Sequence, residues 1–410
     1  MKRKKYNMKI SVNILLIVCL MFCVLPGANA VDEGIRPLAT HNNAFALDLY
    51  HQLNREEGNL FLSPYSISSA FAMCYAGARG NTMQEMSTVM HFPEAHESLH
   101  EQFEALNQDL EEVQKRGHVE LNIANSLWAQ YDYPFLPEYR AITEEYYHAK
   151  IENVDFKQDT ENSRRKINTW TEEKTHHLIK DMIPEGVLSP ASTKLVLASA
   201  IYFKGEWAES FENKDTKEMP FWVTERQSRN VPLMCQQADF EYAEDDDTQI
   251  LLLPYKGKDL SMVILLPKTK DGIRELEDHL TMDRIHQWLA ATRRQEILVY
   301  LPKFTIESSF GLKEHLTAMG MRDAFLWPGA NFSGMDGTEF LYISKVLHKA
   351  WVKADEKGTE AAAATAVMMT LGAAPGPPPK IFRADHPFLF FIKENASGSI
   401  LFLGRLSDPT

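Results

Sequence analysis

Glu356-Lys357-Gly358-Thr359-Glu360-Ala361-Ala362-Ala363-Ala364-Thr365 follows directly on a run, Ile343 to Asp355, that alternates partly between apolar and polar residues and reads as a long strand. Beyond Thr365 the chain continues through Ala366-Val367-Met368-Met369-Thr370 to Leu371-Gly372-Ala373-Ala374-Pro375-Gly376-Pro377-Pro378-Pro379, whose prolines favour a stiff, extended and solvated connector. The small uncharged residues suit a strand buried in a sheet, while the flanking Gly and Pro suit an exposed loop. Both readings hold if the segment changes state. Taken as a strand, Thr359, Ala361, Ala363, Thr365, Val367 and Met369 share one face, and Glu360 falls on the other, where its charge stays wet. An alanine-rich helix or a loose surface loop is the competing reading, since alanine is the best helix former.

Around this segment lies an ordinary globular composition: 410 residues, 44% hydrophobic and 24% charged, which excludes fibrous and wholly disordered chains. The formal charge of -13 disfavours nucleic acid, polyanions and anionic membrane as partners. Residues 1–30 read as a secretory signal peptide. Lys2, Arg3, Lys4, Lys5 and Lys9 form a positive start, Ile14 to Leu25 is too short to span a bilayer, and Ala28-Asn29-Ala30 offers a small-x-small cleavage site. An uncleaved anchor is the alternative. Cys19 and Cys23 would leave with that segment, and Cys74 and Cys235 are expected as free thiols, Cys74 on the buried face of a helix with Ile67, Ala70 and Phe71.

Residues 31–410 read as one interleaved α+β domain, because no linker divides them and helical and alternating segments succeed each other throughout. Helices are expected at Asn43 to Leu53, Ser66 to Ala76, Ser98 to Lys115, Pro137 to Tyr147, Thr160 to Leu178 and Phe310 to Met319. Strands are expected at Val119 to Ala129, Leu195 to Phe203, Gln249 to Leu253, Ser261 to Leu266, Ile297 to Tyr300 and Phe388 to Ile392.

From about residue 40 to Pro409 the sequence resembles the serpins. The block Glu356 to Thr365 is similar to the hinge of inhibitory members. Asn59-Leu60-Phe61-Leu62-Ser63-Pro64-Tyr65-Ser66-Ile67, Tyr202-Phe203-Lys204-Gly205-Glu206-Trp207, Leu301-Pro302-Lys303-Phe304, Phe332-Ser333-Gly334-Met335 and His386-Pro387-Phe388-Leu389-Phe390 match further family motifs in the right order. The resemblance implies three β-sheets with eight or nine helices, and a reactive loop displayed at about 356–380. It also implies suicide inhibition: a protease attacks the loop, an acyl-enzyme forms, and the freed hinge inserts into the central sheet. Insertion of this kind is known for serpins in general.

By the same resemblance the hinge comprises Glu356, Gly358, Thr359, Ala361, Ala363 and Thr365. Thr359 enters first and must be small and uncharged, since burying an unpaired charge costs several kcal/mol. Lys303 is expected to pair with Glu356 at the top of the central sheet beside Trp207. His348, Ser63 and Ser66 match the polar cluster beneath its centre, and where many serpins carry Asn this chain has Ser199, whose shorter side chain would need a water bridge. The family register puts the attacked bond at Gly372-Ala373, with Leu371-Gly372 and Ala373-Ala374 as neighbours in play. A small residue before the bond suits elastase-like or subtilisin-like serine proteases, and Leu371 would suit chymotrypsin-like ones; cysteine proteases are a further class. With no Arg or Lys between Lys357 and Lys380, trypsin-like targets are disfavoured.

The expectation is therefore a secreted, extracellular or periplasmic, monomeric protease inhibitor that is not an enzyme and has no cofactor, metal, nucleic-acid or membrane partner. A non-inhibitory serpin acting as a binding or storage protein is the alternative. His96-Glu97-Ser98-Leu99-His100 matches the HExxH zinc pattern, with Glu120 as a conceivable third ligand, but the second supporting helix is missing after Gly117 and the match is read as chance.

Overall fold

The structure is a computed structural model that describes residues 30–93, 96–358 and 379–410. Residues 1–29 of the expected signal peptide, the expected hinge from Thr359 onward and the expected Gly372-Ala373 bond lie outside the described residues.

The chain enters through α1 (Ala30–Leu53), which buries Leu38, Phe45, Leu49 and Leu53 along one stripe. After β1 (Leu60–Leu62) comes α2 (Pro64–Gly77). This helix starts where the Ser63 hydroxyl accepts the Ser66 N–H at 3.0 Å, with Pro64 in the first turn where no N–H is missed. Every residue of α2 is buried, Cys74 included, and burial pushes that thiol's pKa up. Cys74 and Cys235 are both free, as expected.

Next come α3 (Gly80–Met90), α4 (His96–Lys115), β2 (Val119–Gln130), α5 (Pro137–Tyr147), β3 (Lys150–Val154) and α6 (Thr160–Lys174). The middle of the chain supplies β4 (Leu195–Gly205), β5 (Lys217–Thr224), β6 (Gln227–Glu244), β7 (Thr248–Pro254) and β8 (Leu260–Pro267). Then follow α7 (Ile273–Asp278), α8 (Met282–Ala291), β9 (Arg293–Pro302), β10 (Phe304–Gly311), α9 (Lys313–Met319), α10 (Ser333–Asp336) and β11 (Ile343–Ala354). The described chain closes with β12 (Lys380–Arg383), β13 (Phe388–Glu394) and β14 (Ile400–Leu406).

Ten α-helices stand among the described residues where eight or nine were expected; α10 is a single four-residue turn. The three expected sheets are joined into two hydrogen-bonded networks. One is the five-stranded sheet β10-β11-β4-β2-β3, and the other has nine strands. The eighteen-residue β6 makes the connection: its Leu233 to Tyr242 pair with β9, while Glu241 to Glu244 pair with β7.

Two expected helices need correction. Phe310 belongs to β10, where Phe304, Ile306 and Ser308 are buried and Thr305, Glu307 and Ser309 are exposed, a period of two; the helix begins only at Lys313. The helix from Thr160 stops at Lys174, and His176 and His177 follow in left-handed conformation, which a helix cannot continue through.

The five-stranded sheet is covered on both faces. Leu197, Ile201, Phe203, Ala350 and Val352 face the main core, and Val196, Ala198, Ala200 and Trp128 face a second cluster with Ile167 of α6. Within this sheet β11 and β4 are parallel neighbours, with His348 opposite Ser199 and Val352 opposite Phe203. Every other contact of β11 and β4 in the sheet is antiparallel. The parallel seam is the place where one further strand, antiparallel to both, would fit.

Candidate functional site

Two clusters of expected residues lie along the seam, one around His348 within β11 and the other around Glu356, in the turn just past the end of that strand.

The central cluster is buried. Ser63 N–H donates to His348 Nε2 at 3.1 Å, so that nitrogen is an acceptor and the ring proton sits on Nδ1. Nδ1–H can then donate to Ser199 Oγ at 3.2 Å, Ser199 to Ser66 Oγ at 2.8 Å, and Ser66 to Asn125 Oδ1 at 3.0 Å. Asn125 Nδ2 returns to Ser66 O at 3.0 Å, and the Ser63 hydroxyl donates to Leu401 O at 2.7 Å. The network links α2, β2, β4, β11 and β14, with every named side chain both giving and receiving. Burial pushes the His348 pKa down to about 3, so the ring is neutral.

Ser63, Ser66, Ser199 and His348 therefore come together as expected, but the water bridge is not needed, because Ser199 reaches both His348 and Ser66 directly. Asn125, opposite Ser199 on β2, provides the amide that Ser199 lacks. The sequence reading missed it. Its signal was a polar residue on the strand face otherwise held by Leu121, Ile123 and Leu127.

The upper cluster closes the end of the seam. Glu356 is 6% exposed, and its carboxylate lies 2.8 Å from Lys303 Nζ and accepts from Thr216 Oγ1 at 2.9 Å. Burial raises its pKa, but hydrogen bonds from Lys303 and Thr216 prevail and hold it below the usual glutamate value. Trp207 stacks on Tyr255 with centroids 4.7 Å apart, and its Nε1–H donates to Asp355 O at 3.0 Å. Backbone donors from Trp207 and Phe211 reach Lys357 O at 3.0 Å and Glu356 O at 2.8 Å. Lys303, Trp207 and Glu356 thus form the expected group, with Thr216 and Tyr255 as partners that spacing did not reveal.

Gly358 occupies the decisive position. Asp355 N–H donates to Gly358 O at 2.8 Å and Gly358 N–H to Asp355 O at 3.2 Å, which reverses the chain at the end of β11. Gly358 makes an antiparallel bridge to Asp355 on one side and to Glu206, just past β4, on the other. Its φ is +132°, and a Cβ there would sit 2.1 Å from Gly205 O, so only glycine fits. Residue 358 already lies between the two strands, antiparallel to both.

On β4, Gly205, Phe203, Ile201 and Ser199 alternate along one face, with Phe203 and Ile201 in the main core, so an antiparallel strand carried on from Gly358 would turn every second residue toward that core.

Of the HExxH match and its conceivable third ligand, His100 and Glu120 have protein partners. His100 is buried with Nδ1 2.5 Å from the Tyr147 hydroxyl, and Glu120 meets His176 Nε2 at 2.9 Å.

Residues 40–409 match the model of a family described as serpin (serine protease inhibitor). Leukocyte elastase inhibitor of Sus scrofa is 43% identical over 382 residues, covering 91% of this chain and 99% of the relative. Serpin B3 of Homo sapiens is 42% identical over 393 residues, with coverage of 91% and 99%. Among solved structures, Serpin48 of the insect Tenebrio molitor has a TM-score of 0.81 at 30% identity, covering 91% of this chain and 98% of that one.

Proposed function

The chain belongs to the serpin family, and from that premise we propose that it inhibits serine proteases as a suicide substrate. The observation that carries this reading is Gly358, bridged at once to the ends of β4 and β11 at the mouth of a parallel seam. A target protease attacks the carbonyl of Gly372, expels the amine of Ala373 and remains as an ester on the upstream fragment. That fragment is then free to continue the register begun at Gly358, carrying the enzyme with it. The buried face receives Thr359, Ala361, Ala363, Thr365, Val367 and Met369, all small or apolar, and the charge of Glu360 stays on the opposite face.

The small residue before the bond fits elastase-like or subtilisin-like enzymes, and relatives named leukocyte elastase inhibitor support the first of these. Leu371 keeps chymotrypsin-like enzymes within range. Incubation with elastase, subtilisin and chymotrypsin followed by denaturing gels tests the reading. A protein–protease adduct that survives denaturant is expected; quantitative cleavage with the protease left fully active would instead establish the non-inhibitory alternative.

Export follows from the positive start, the apolar run and Ala28-Asn29-Ala30. Amino-terminal sequencing of the protein as made by secreting cells is expected to begin at Val31; a retained Met1 or Lys2 would contradict export by cleavage.

A further inference from the structure

Leu326, Trp327 and Phe340 stand exposed at 55%, 59% and 57%, at the end of the five-stranded sheet away from Gly358. With Tyr133 and Tyr342 they wall an open cavity of about 450 Å³, and Lys194 also lines it. The Lys194 ammonium lies 5.6 Å from the centroid of the Tyr133 ring, and among the described residues it makes no ion pair or hydrogen bond of its own. Burial, together with the nearby Lys157 charge, holds its pKa below the usual lysine value, while Asp132, already paired with Lys157, opposes the shift. An ammonium desolvated in this way gains most from an anion, and the aromatic walls gain from an apolar body.

We infer that this cavity binds a small amphipathic anion, with a carboxylate or sulfonate on Lys194 and an apolar or aromatic body against Trp327 and Phe340. Charge complementarity selects this occupant locally: Lys194 is the one cation among the residues lining the cavity, and among the described residues no carboxylate pairs with it.

The site also spans the seam. Lys194 immediately precedes β4 and Tyr342 immediately precedes β11. The Tyr342 hydroxyl donates to Ser192 O at 2.6 Å, and Ser344 Oγ accepts the Lys194 N–H at 2.8 Å. A strand entering between β4 and β11 would part them by about 4.8 Å and separate Lys194 and Tyr133 from Phe340 and Tyr342. The ligand therefore binds the uncut form and opposes insertion. This second step rests on the proposed inhibitory mechanism, whereas binding to the intact protein does not.

The test titrates the intact protein with 8-anilinonaphthalene-1-sulfonate and with N-phenyl-1-naphthylamine, which has the same rings without the anion, and follows fluorescence. Lys194→Met should weaken the sulfonate about tenfold, the equivalent of about 1.4 kcal/mol, and leave the neutral probe nearly unchanged. Lys194→Arg should restore binding, and Trp327→Ala should weaken both probes. Equal sulfonate affinity in wild type and Lys194→Met would overturn the site. So would a sedimenting dimer that excludes both probes and dissociates on Trp327→Ala, because a second copy would then be the occupant. After protease nicking, the heating curve reports independently whether insertion occurred. A nicked, strongly stabilised form that still binds the sulfonate overturns the coupling, while a nicked form without stabilisation contradicts the inhibitory mechanism and not the site.

Discussion

Ser199 and Asn125 divide between them a task that one longer side chain on β4 would perform. Ser199 connects His348 to Ser66, and Asn125 closes the chain from the opposite strand. Ser199→Ala leaves buried polar atoms on both neighbours without partners, and a loss of about 1–3 kcal/mol is expected in urea unfolding; an unchanged midpoint would contradict the network. His348 adds a pH dependence. Its folded pKa of about 3 lies below the ordinary 6.5, so the unfolded chain takes up a proton that the folded chain refuses. Stability is then complete above pH 6.5 and declines as pH falls toward 3, by about 1.4 kcal/mol per pH unit at its steepest. His348→Gln should remove that share of the slope between pH 7 and 5, read from urea midpoints. The Glu356 carboxylate works in a lower window. Its depressed pKa gives stability that is present above the ordinary glutamate value and lost as pH falls through the folded one. Lys303 is partly exposed, so Glu356→Gln should cost less than about 1 kcal/mol. Its larger effect is expected in rate, as faster spontaneous loss of inhibitory activity on warming.

At the scale of elements, the hinge and β11 decide the behaviour. Thr359→Arg is expected to turn the proposed inhibitor into a substrate, because a register carried on from Gly358 would drive the guanidinium inward beside Gly205 and the buried Ala354, where an unpaired charge costs about 3–5 kcal/mol. Inhibition with undiminished stoichiometry in that variant would contradict insertion along this register. Much of this level was legible in the chain. The strand from Ile343, the helix Pro137–Tyr147 and the pairing of Lys303 with Glu356 all emerge as read. What escaped has physical causes. β10 looked helical from Phe310 because its last residues adjoin α9, and the period of two shows only once Phe304 is counted as buried. Asn125 was invisible because its role depends on β2 lying against β4, a non-local pairing that no local pattern encodes. The merging of sheets through β6 is likewise a matter of one long strand being shared, which spacing cannot express.

Over the whole molecule, the five-stranded sheet is held shut at three levels along one parallel seam: the Glu356 and Trp207 contacts at the top, the His348 network at the centre, and the Tyr342 and Ser344 bonds at the base. The sheet is also sandwiched between the main core and the layer containing α6, so opening it disturbs packing on both faces at once. That is a barrier rather than a minimum. Eleven residues, Thr359 to Met369, would run the length of β4 from Gly205 to Leu195, and roughly ten new ladder hydrogen bonds at about 1 kcal/mol each favour the inserted state by an amount comparable to the stability of an ordinary domain. On the proposed mechanism the uncut protein is kinetically trapped. The direct measurement is a pair of heating curves, one on the intact protein and one after a single cut between Leu371 and Ala374. The trapped state requires the nicked protein to unfold more than about 10 °C higher; coincident curves would contradict it.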